Sequence, residues 1–175
     1  MNIRILIRNV NDSDMASIQR IYAHHVEHGL ASWEEIPPTV EKLTDRRDGI
    51  LTDGFPYLVA EDNVRVLGYT HASKYRPRPA YRHCCEDSVY VANNAHGCGI
   101  GSTLLDALIQ RCTAMELRRM VAIIGDSANL SSIRLHEKAG FKHVGTIPSC
   151  GFKHDKWLDQ VIMQRALGPC DSTLP

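Results

Sequence analysis

The sequence lacks an excess of charge of either sign. It carries 20 basic and 20 acidic residues, so its formal net charge at pH 7 is zero. Non-specific nucleic-acid binding depends on clustered positive charge that displaces the counterions of phosphate, so we expect no nucleic-acid partner. The sequence also has no run of about 20 apolar residues, the length that a transmembrane helix requires, and we expect no membrane association.

The beginning of the chain lacks the uninterrupted apolar segment of a secretory signal peptide, because Arg4 and Arg8 fall inside its apolar stretch. We therefore expect a cytoplasmic protein with reduced thiols. The six cysteines include no C-x-x-C pair, and we expect no metal. A metal-binding module would have to use His24, His25 and His28, which we interpret as surface histidines.

The chain also lacks internal repeats, low-complexity segments and long linkers. Its 175 residues fall within the roughly 100–200 residues of a typical single domain. We expect residues 1–167 to form one domain. Residues 168–175, GPCDSTLP, are short and rich in residues that break regular structure, and we expect a disordered tail.

Hydrophobic periodicity predicts the order β-α-α-β-β-β-α-β-α-β-β. This order favours an α+β domain with a mixed, mostly antiparallel sheet flanked by helices. The predicted elements are a strand with Ile3, Ile5 and Ile7; a helix capped by Asn11 or Asp12; a helix capped by Thr39; strands 56–60 and 64–73 around a turn at 61–63; strand 86–91; a helix from the glycines at 97–101 to 115; strand 120–124; helix 129–138; and strands 142–147 and 157–165.

A glycine-rich segment lies between the strand at 86–91 and the helix that follows it. Gly97, Gly99 and Gly101 permit positive φ and close approach of the backbone to a ligand. Unpaired amides at a helix start, together with the helix dipole, bind phosphate groups. A tight strand-to-helix turn would use the same glycines without any ligand, and the spacing matches neither G-x-G-x-x-G nor the P-loop.

Two motifs resemble the GCN5-related N-acetyltransferase superfamily (GNAT). The segment HGCGIG at 96–101 is similar to its pyrophosphate motif Gln/Arg-x-x-Gly-x-Gly/Ala, and NLSSIRLHEKAGF at 129–141 is similar to its later helix. Within that superfamily the chain resembles the phosphinothricin (methionine sulfoximine) acetyltransferases from about Ile7 to Gln164. The similar segments include Trp33, Tyr75-Arg-Pro77, Glu86–Val91 and the segment from Gly151 to Asp159.

The resemblance implies acetyl-coenzyme A as cosubstrate, bound by main-chain groups. It implies that the backbone of Val89, Tyr90 and Val91 pairs with the pantetheine arm and that Asn129 bonds the arm near the thioester; Asn129 also fits a simple helix cap. The residues implied to hold the pyrophosphate are Gly97, Cys98, Gly99, Ile100, Gly101 and Ser102.

The resemblance also implies two catalytic residues. Glu86 is the expected base, because an alkylammonium must lose a proton before its lone pair attacks; the alternatives are an exposed strand-edge charge or a salt bridge to Arg82. His136 lies where many relatives have a tyrosine that protonates the departing thiolate. Its imidazole could donate that proton, help to deprotonate the amine, or serve only in packing.

Arginines in a proline-stiffened loop suit an anionic acceptor, because guanidinium groups bind carboxylate or phosphinate oxygens in pairs. A solvated loop is the alternative. The expected substrate-binding residues are Arg76, Pro77, Arg78, Pro79, Arg82, Glu86, Asp87 and Ser88. Trp33 could line the pocket or fill the core, and Lys153 and Trp157 could contribute from the C-terminal strands.

Five residues depart from the pattern of the resembled family, among them Arg78 and Pro79, which replace a usual bulky residue. His96 stands in place of Gln or Arg, Cys98 in place of a common Arg or Lys, and Cys85 in place of a usual Val. The changes at His96 and Cys98 leave the backbone amides in place, so we expect the loop still to bind pyrophosphate, with weaker electrostatic attraction from side chains. The change at Cys85 could reshape the acceptor pocket.

We therefore predict an N-acetyltransferase that acts by direct amine attack on small amino acid-like substrates such as phosphinothricin or methionine sulfoximine. The resemblance implies a homodimer. Alternatives are an acetyltransferase for another small amine or for a protein N-terminus, and an acyl-coenzyme A sensor without turnover. A polyamine acceptor is disfavoured because its pocket needs acidic walls, which the arginine loop opposes.

Overall fold

The computed structural model describes residues 5–63 and 65–175 as four helices and seven strands, with three short 3-10 turns. The predicted order of elements is confirmed; Ile3 and Val64, predicted to lie in strands, fall outside the described residues. The helices are α1 (Met15–His28), α2 (Val40–Thr52), α3 (Ile100–Ala114) and α4 (Leu130–Lys138). The strands are β1 (Leu6–Asn9), β2 (Tyr57–Asp62), β3 (Arg65–Lys74), β4 (Cys84–Val91), β5 (Arg119–Gly125), β6 (Lys142–Lys153) and β7 (Lys156–Ala166).

The strands form one sheet in the order β1-β2-β3-β4-β5-β7-β6. Every neighbouring pair is antiparallel except β4 and β5, which run parallel. This confirms the predicted α+β class and the mostly antiparallel sheet. No helix in the described part of the chain is both long and apolar enough to cross a membrane.

Helices cover both faces of the sheet because alternate residues of each strand point to opposite sides. On one face, α1 and α2 pack against the tyrosines of β2 and β3, and the core includes Met15, Ile18, Leu43, Tyr57 and Tyr69. On the other face, α3 packs beneath the centre of the sheet, and the core includes Leu105, Leu108, Cys85, Met120 and Ala122. The apolar stripe of α3 therefore fixes the direction of its first turn.

The sheet splits open in the middle. Residues 84–87 of β4 pair with residues 119–122 of β5, and the pairing stops there. Beyond that point β4 continues to Val91 along β3 only, while β5 continues to Gly125 along β7 only. The two parallel strands diverge, and a cleft opens between Val91 and Gly125.

The structure confirms two predicted helix ends and changes the bounds of two predicted elements. Thr39 accepts a hydrogen bond from the Lys42 amide and so caps α2, and Gly140 takes a φ of 84° just after α4, as a left-handed cap requires. The predicted turn at 61–63 is too long, because β2 extends to Asp62 through a bulge after Ala60. The strand predicted at 142–147 is too short, because β6 runs on to Lys153 with register shifts against β7.

The C-terminal residues form turns beside the start of β5. The Arg118 guanidinium donates to the Thr173 hydroxyl at 3.0 Å and to the Leu174 carbonyl at 3.1 Å. The boundary at residue 167 and the disorder of 168–175 stay predictions.

Candidate active site

The cleft exposes backbone groups of β4 that no strand pairs. The Ala92 amide donates to the Leu67 carbonyl at 2.8 Å, so the N–H of Ala92 faces β3. Because successive residues of a strand face opposite edges, Tyr90 also bonds β3, whereas Val89 and Val91 point their N–H and C=O groups into the cleft. Two of the three residues predicted to pair with the pantetheine arm therefore offer main-chain groups to it, and Tyr90 lines the cleft with its side chain.

The glycine loop forms the other end of a cavity of about 790 Å³. Gly97 and Gly99 both have a φ of 77°, and a Cβ at either position would point into open space. Gly99 caps α3, so the first amides of that helix face the same cavity. An extended arm between β4 and β5 followed by a diphosphate at the loop fits this shape.

Two histidines bind one carbonyl at the cavity wall. The Nε2–H of His25 in α1 donates to the Val91 oxygen at 2.9 Å, and the Nε2–H of His96 donates to the same oxygen at 3.1 Å. Burial lowers the pKa of His25 despite the hydrogen bond to Val91. His25 is half-buried, which corrects its assignment as a surface histidine. Because the two histidines use both acceptor sites of the Val91 carbonyl, the groups that stay open to a ligand are the N–H of Val91 and the N–H and C=O of Val89.

A second cavity, of about 280 Å³, adjoins the first at Val89, Tyr90 and Asn129. Glu86 lines it from β4 and makes no hydrogen bond or salt bridge with any residue that the structure describes. Burial, with help from the charge of Asp87, raises the pKa of Glu86 to about 6, against an opposing effect of Arg76. Glu86 is thus neither an exposed charge nor a partner of Arg82, whose guanidinium donates instead to the Pro79 carbonyl.

His136 lies across the same cavity, on the opposite face of β4 from Glu86. Its Nδ1–H donates to the Ser132 carbonyl at 2.8 Å, and its Nε2 lies 3.0 Å from an Asp87 carboxylate oxygen. Burial lowers the pKa of His136, but the hydrogen bond and charge of Asp87 outweigh burial and raise it overall. Both side chains are at least 95% buried, so the pair is held away from bulk water.

Asn129 lies at the junction of the two cavities and also caps α4. Its side-chain oxygen accepts from the Ser132 amide at 3.3 Å and from the Ser131 hydroxyl at 3.0 Å. The side-chain amide nitrogen makes no hydrogen bond with any residue that the structure describes, and Asn129 lines both cavities. The cap and a ligand contact are therefore compatible in one residue.

A third cavity, of about 420 Å³, lies between α2 and the sheet. It shares Tyr22, Ser88 and Tyr90 with the cavity at Glu86. His71 faces it from β3, and burial lowers the pKa of that imidazole to about 4. The Arg46 guanidinium at its edge is neutralised by Glu34 at 2.6 Å. The space beside Glu86 is therefore roomy, mainly aromatic and without net charge in its lining.

The predicted arginine loop lies outside these cavities. Arg76, Pro77, Arg78, Pro79 and Arg82 are all exposed, and the Arg76 guanidinium stacks on the Tyr75 ring with 4.9 Å to its centroid. Only Arg76 is close enough to affect the pKa of Glu86. Asp87, also predicted to bind substrate, is committed to His136, whereas Ser88 lines both cavities on the acceptor side.

The loop between α1 and α2 is fastened over the Glu86 cavity. The Trp33 ring lies directly on Gly151, where a Cβ would collide with it, and Trp33 lines the cavity rather than the core. Lys153 is 3% exposed and donates to the Ser32 carbonyl at 2.8 Å and to the Gly29 carbonyl at 3.0 Å. The Lys153 ammonium is therefore used to hold this loop, which removes it as an anion ligand.

Sequence reasoning missed several lining residues. Tyr22 and His25 come from α1, whose apolar face alone was visible in the periodicity, and Ala31 and Glu34 come from the loop that Lys153 holds. Arg134 and Lys138 lie one turn apart on α4 and line the large cavity; their four-residue spacing within the second motif was the available signal. The residues described in the structure contain no group of three or more His, Cys, Asp or Glu able to hold a metal ion.

Comparison with known proteins identifies relatives that match nearly the whole chain. The model of the Acetyltransferase (GNAT) family matches residues 18–141. A phosphinothricin N-acetyltransferase from Alcaligenes faecalis is 48% identical over 97% of this chain and 86% of its own. An L-methionine sulfoximine/L-methionine sulfone acetyltransferase from Pseudomonas paraeruginosa is 39% identical over 95% of this chain and 96% of its own.

Solved structures agree with the sequence comparison. A GNAT superfamily phosphinothricin acetyltransferase from Sinorhizobium meliloti, crystallised in complex with acetyl-coenzyme A, superposes with a TM-score of 0.95 at 43% sequence identity. The match covers 98% of this chain and 92% of that one. The divergence of β4 and β5 and the glycine loop thus occur in a fold that holds this thioester.

Proposed function

The chain belongs to the GNAT family of acetyltransferases and is an acetyl-coenzyme A-dependent N-acetyltransferase, and we propose that its acceptor is a small amino acid-like molecule with an oxidised side group. Phosphinothricin and methionine sulfoximine are the acceptors we would test first, on the basis of the relatives' names. The observation that carries the proposal is the unpaired Glu86 beside the end of the cofactor cleft, facing a cavity large enough for such a molecule.

The reaction we propose is direct attack by the acceptor amine. The lone pair of the amino nitrogen forms a bond with the thioester carbonyl carbon, the carbon–sulfur bond breaks, and its electron pair leaves on the thiolate. As the carbon–sulfur bond breaks, the acylated nitrogen releases one proton to solvent. Before attack the nitrogen must shed another, because an alkylammonium is mostly protonated at pH 7. Glu86, with a pKa of about 6, accepts that proton more readily than an ordinary carboxylate would.

In this mechanism His136 acts through its charge. Both ring nitrogens are engaged, one with the Ser132 carbonyl and one with Asp87, so neither N–H points freely at a departing sulfur. An imidazolium in a poorly solvated wall favours the thiolate electrostatically. The proton that the thiolate acquires then comes from solvent or from the protonated Glu86.

The acceptor side chain in this proposal occupies the cavity lined by Tyr22, Ser88 and Tyr90, and the acceptor carboxylate lies toward Arg76. The lining supplies hydroxyl groups, which can donate hydrogen bonds to the oxygens of a sulfoximine, a sulfone or a phosphinate. Arg76 is the cation nearest to Glu86 by its effect on the pKa of that carboxyl, which supports its role in holding the carboxylate.

We extend the proposal to a homodimer in the cytoplasm. β6 is an edge strand, and the hairpin that it forms with β7 exposes Val144, Ile147, Phe152 and Trp157, an apolar surface that a second copy would cover. All six cysteines are free thiols, which supports a reducing compartment. Light scattering after size exclusion should give twice the monomer mass, and Trp157→Lys should give the monomer mass.

A thiol-release assay with acetyl-coenzyme A tests the acceptor. The panel should contain phosphinothricin, methionine sulfoximine, methionine sulfone, a polyamine and a peptide with a free N-terminus. We expect turnover with the first three and at least tenfold lower kcat/KM for the last two. Preference for the polyamine or the peptide would refute the proposed acceptor class.

A further inference from the structure

Positive charge in the cofactor cavity comes from α4 and not from the glycine loop. Residues 97–102 carry no ionisable cation, since the loop reads Gly-Cys-Gly-Ile-Gly-Ser. Among the lining residues, the fixed cations are Arg134 and Lys138, and Asp126 is the anion. The remaining titratable residues of the lining are His25, whose pKa burial lowers, His96 and Tyr90.

Neither Arg134 nor Lys138 has a bonded partner in the part of the chain that the structure describes, and both line the cofactor cavity. No hydrogen bond or salt bridge of either side chain occurs within the described residues, although other arginines near the site, such as Arg46 and Arg82, are bound. With Ser131 and Leu135 they form a stripe at i, i+3, i+4 and i+7 on the side of α4 that lines the cavity. Two cations are thus presented to the same space, and neither is ion-paired with a described residue.

Coenzyme A carries more phosphate than the glycine loop can hold. The loop amides and the dipole of α3 suit the diphosphate, but the ribose also bears a 3′-phosphate monoester, which is mostly a dianion at neutral pH. A dianion outside the amide cradle needs cations. We propose that Arg134 and Lys138 bind the 3′-phosphate and select coenzyme A over its 3′-dephospho form, an inference that rests on the use of acetyl-coenzyme A stated above.

Calorimetric titration with coenzyme A and with 3′-dephospho-coenzyme A tests the proposal. We expect the protein to bind coenzyme A at least tenfold more tightly. Arg134→Gln and Lys138→Gln should each weaken coenzyme A binding about three- to tenfold, the range for partly exposed charge-assisted bonds. Both should leave the affinity for the dephospho form within twofold, and the double variant should remove the selectivity.

Matched controls separate a specific site from a general effect of charge. Arg111→Gln removes an exposed cation of α3 that does not line the cavity and should leave both affinities unchanged, while Arg134→Lys should retain most of the selectivity. Because the substituted side chains are exposed, melting temperatures should stay within about 2 °C.

Three results would overturn the inference. Equal affinity of the unaltered protein for the two ligands would do so, as would an equal loss of affinity for both ligands in the α4 variants. Absence of binding to either ligand would refute the proposed function as well. Normal acetyl transfer without selectivity would refute only the role of Arg134 and Lys138.

Discussion

The two faces of β4 treat adjacent carboxylates in opposite ways. On the side of α1 and α2, Glu86 faces a cavity with no bonded partner, and burial raises its pKa to about 6. On the side of α4, Asp87 is bound to His136 at 3.0 Å, and both side chains are at least 95% buried. Glu86, which is free to exchange a proton, and Asp87, which is paired with His136, are therefore consecutive residues of one strand.

The difference follows from the alternation of side chains along a strand. The α4 face supplies His136 within hydrogen-bond distance of Asp87, whereas no residue lining the cavities on the opposite face forms a hydrogen bond or ion pair with Glu86 among the described residues. A carboxylate beside a partner stabilises the fold. A buried carboxylate without a partner is destabilised as the anion, and the resulting rise in its pKa suits it to act as a base. Stability and turnover should therefore respond to different substitutions in these neighbouring residues.

The largest expected effect is on stability. Asp87→Ala removes the partner of the buried His136 side chain, and loss of one partner of a buried pair costs about 3–5 kcal/mol. Thermal unfolding should show a melting temperature lower by about 6–20 °C. Glu86→Ala is the matched control and should change the melting temperature by only a few degrees in either direction. Similar decreases in melting temperature for Asp87→Ala and Glu86→Ala would contradict the different roles assigned to these two carboxylates.

The next effect is on turnover. Glu86→Gln removes the proton acceptor while keeping the size of the side chain, and kcat should fall by about 100-fold or more, the usual scale for acid–base groups. The dissociation constant of coenzyme A, measured by calorimetry, should be unchanged because Glu86 does not line the large cavity. Unchanged kcat would remove Glu86 from the mechanism.

A smaller effect is expected at the glycine loop, which lines the cofactor cavity, whereas neither Glu86 nor Asp87 does. Gly99→Ala forces a side chain into a φ of 77°, at about 1–2 kcal/mol, and points a methyl group into the cavity. The KM for acetyl-coenzyme A should rise about tenfold with a smaller change in kcat. Gly49→Ala in α2, where a Cβ meets nothing, is the control and should be neutral or slightly stabilising. An unchanged KM for Gly99→Ala would argue against a phosphate at this loop.

The smallest effect is in the pH profile. Glu86 accepts a proton only as carboxylate, so with its pKa raised to about 6 kcat/KM should be half-maximal near pH 6 and fall about tenfold per unit below it. The profile of Glu86→Gln, at its lower rate, should lack this limb. An inflection that survives the substitution would assign it to another group.

The order of elements and the glycine loop could be predicted because both are local. Alternation and helical periodicity are visible within short windows, and Thr39 and Gly140 mark helix ends by their own chemistry. The pairing of Asp87 with His136 joins residues 49 positions apart, and that of His25 with Val91 joins residues 66 apart. No local pattern specifies such contacts, since α1 and α4 are brought to β4 by the packing of the whole sheet.

The way Lys153 and Gly151 hold the loop over Glu86 has a consequence for biosynthesis. The loop at 29–36 leaves the ribosome early, but its fastening points lie in β6, and β7 must insert between β5 and β6 before the sheet is complete. A nascent chain that already contains Glu86, the glycine loop and α4 therefore still lacks an ordered wall on the acceptor side. We therefore expect competence for acetyl transfer only after β7 has been translated.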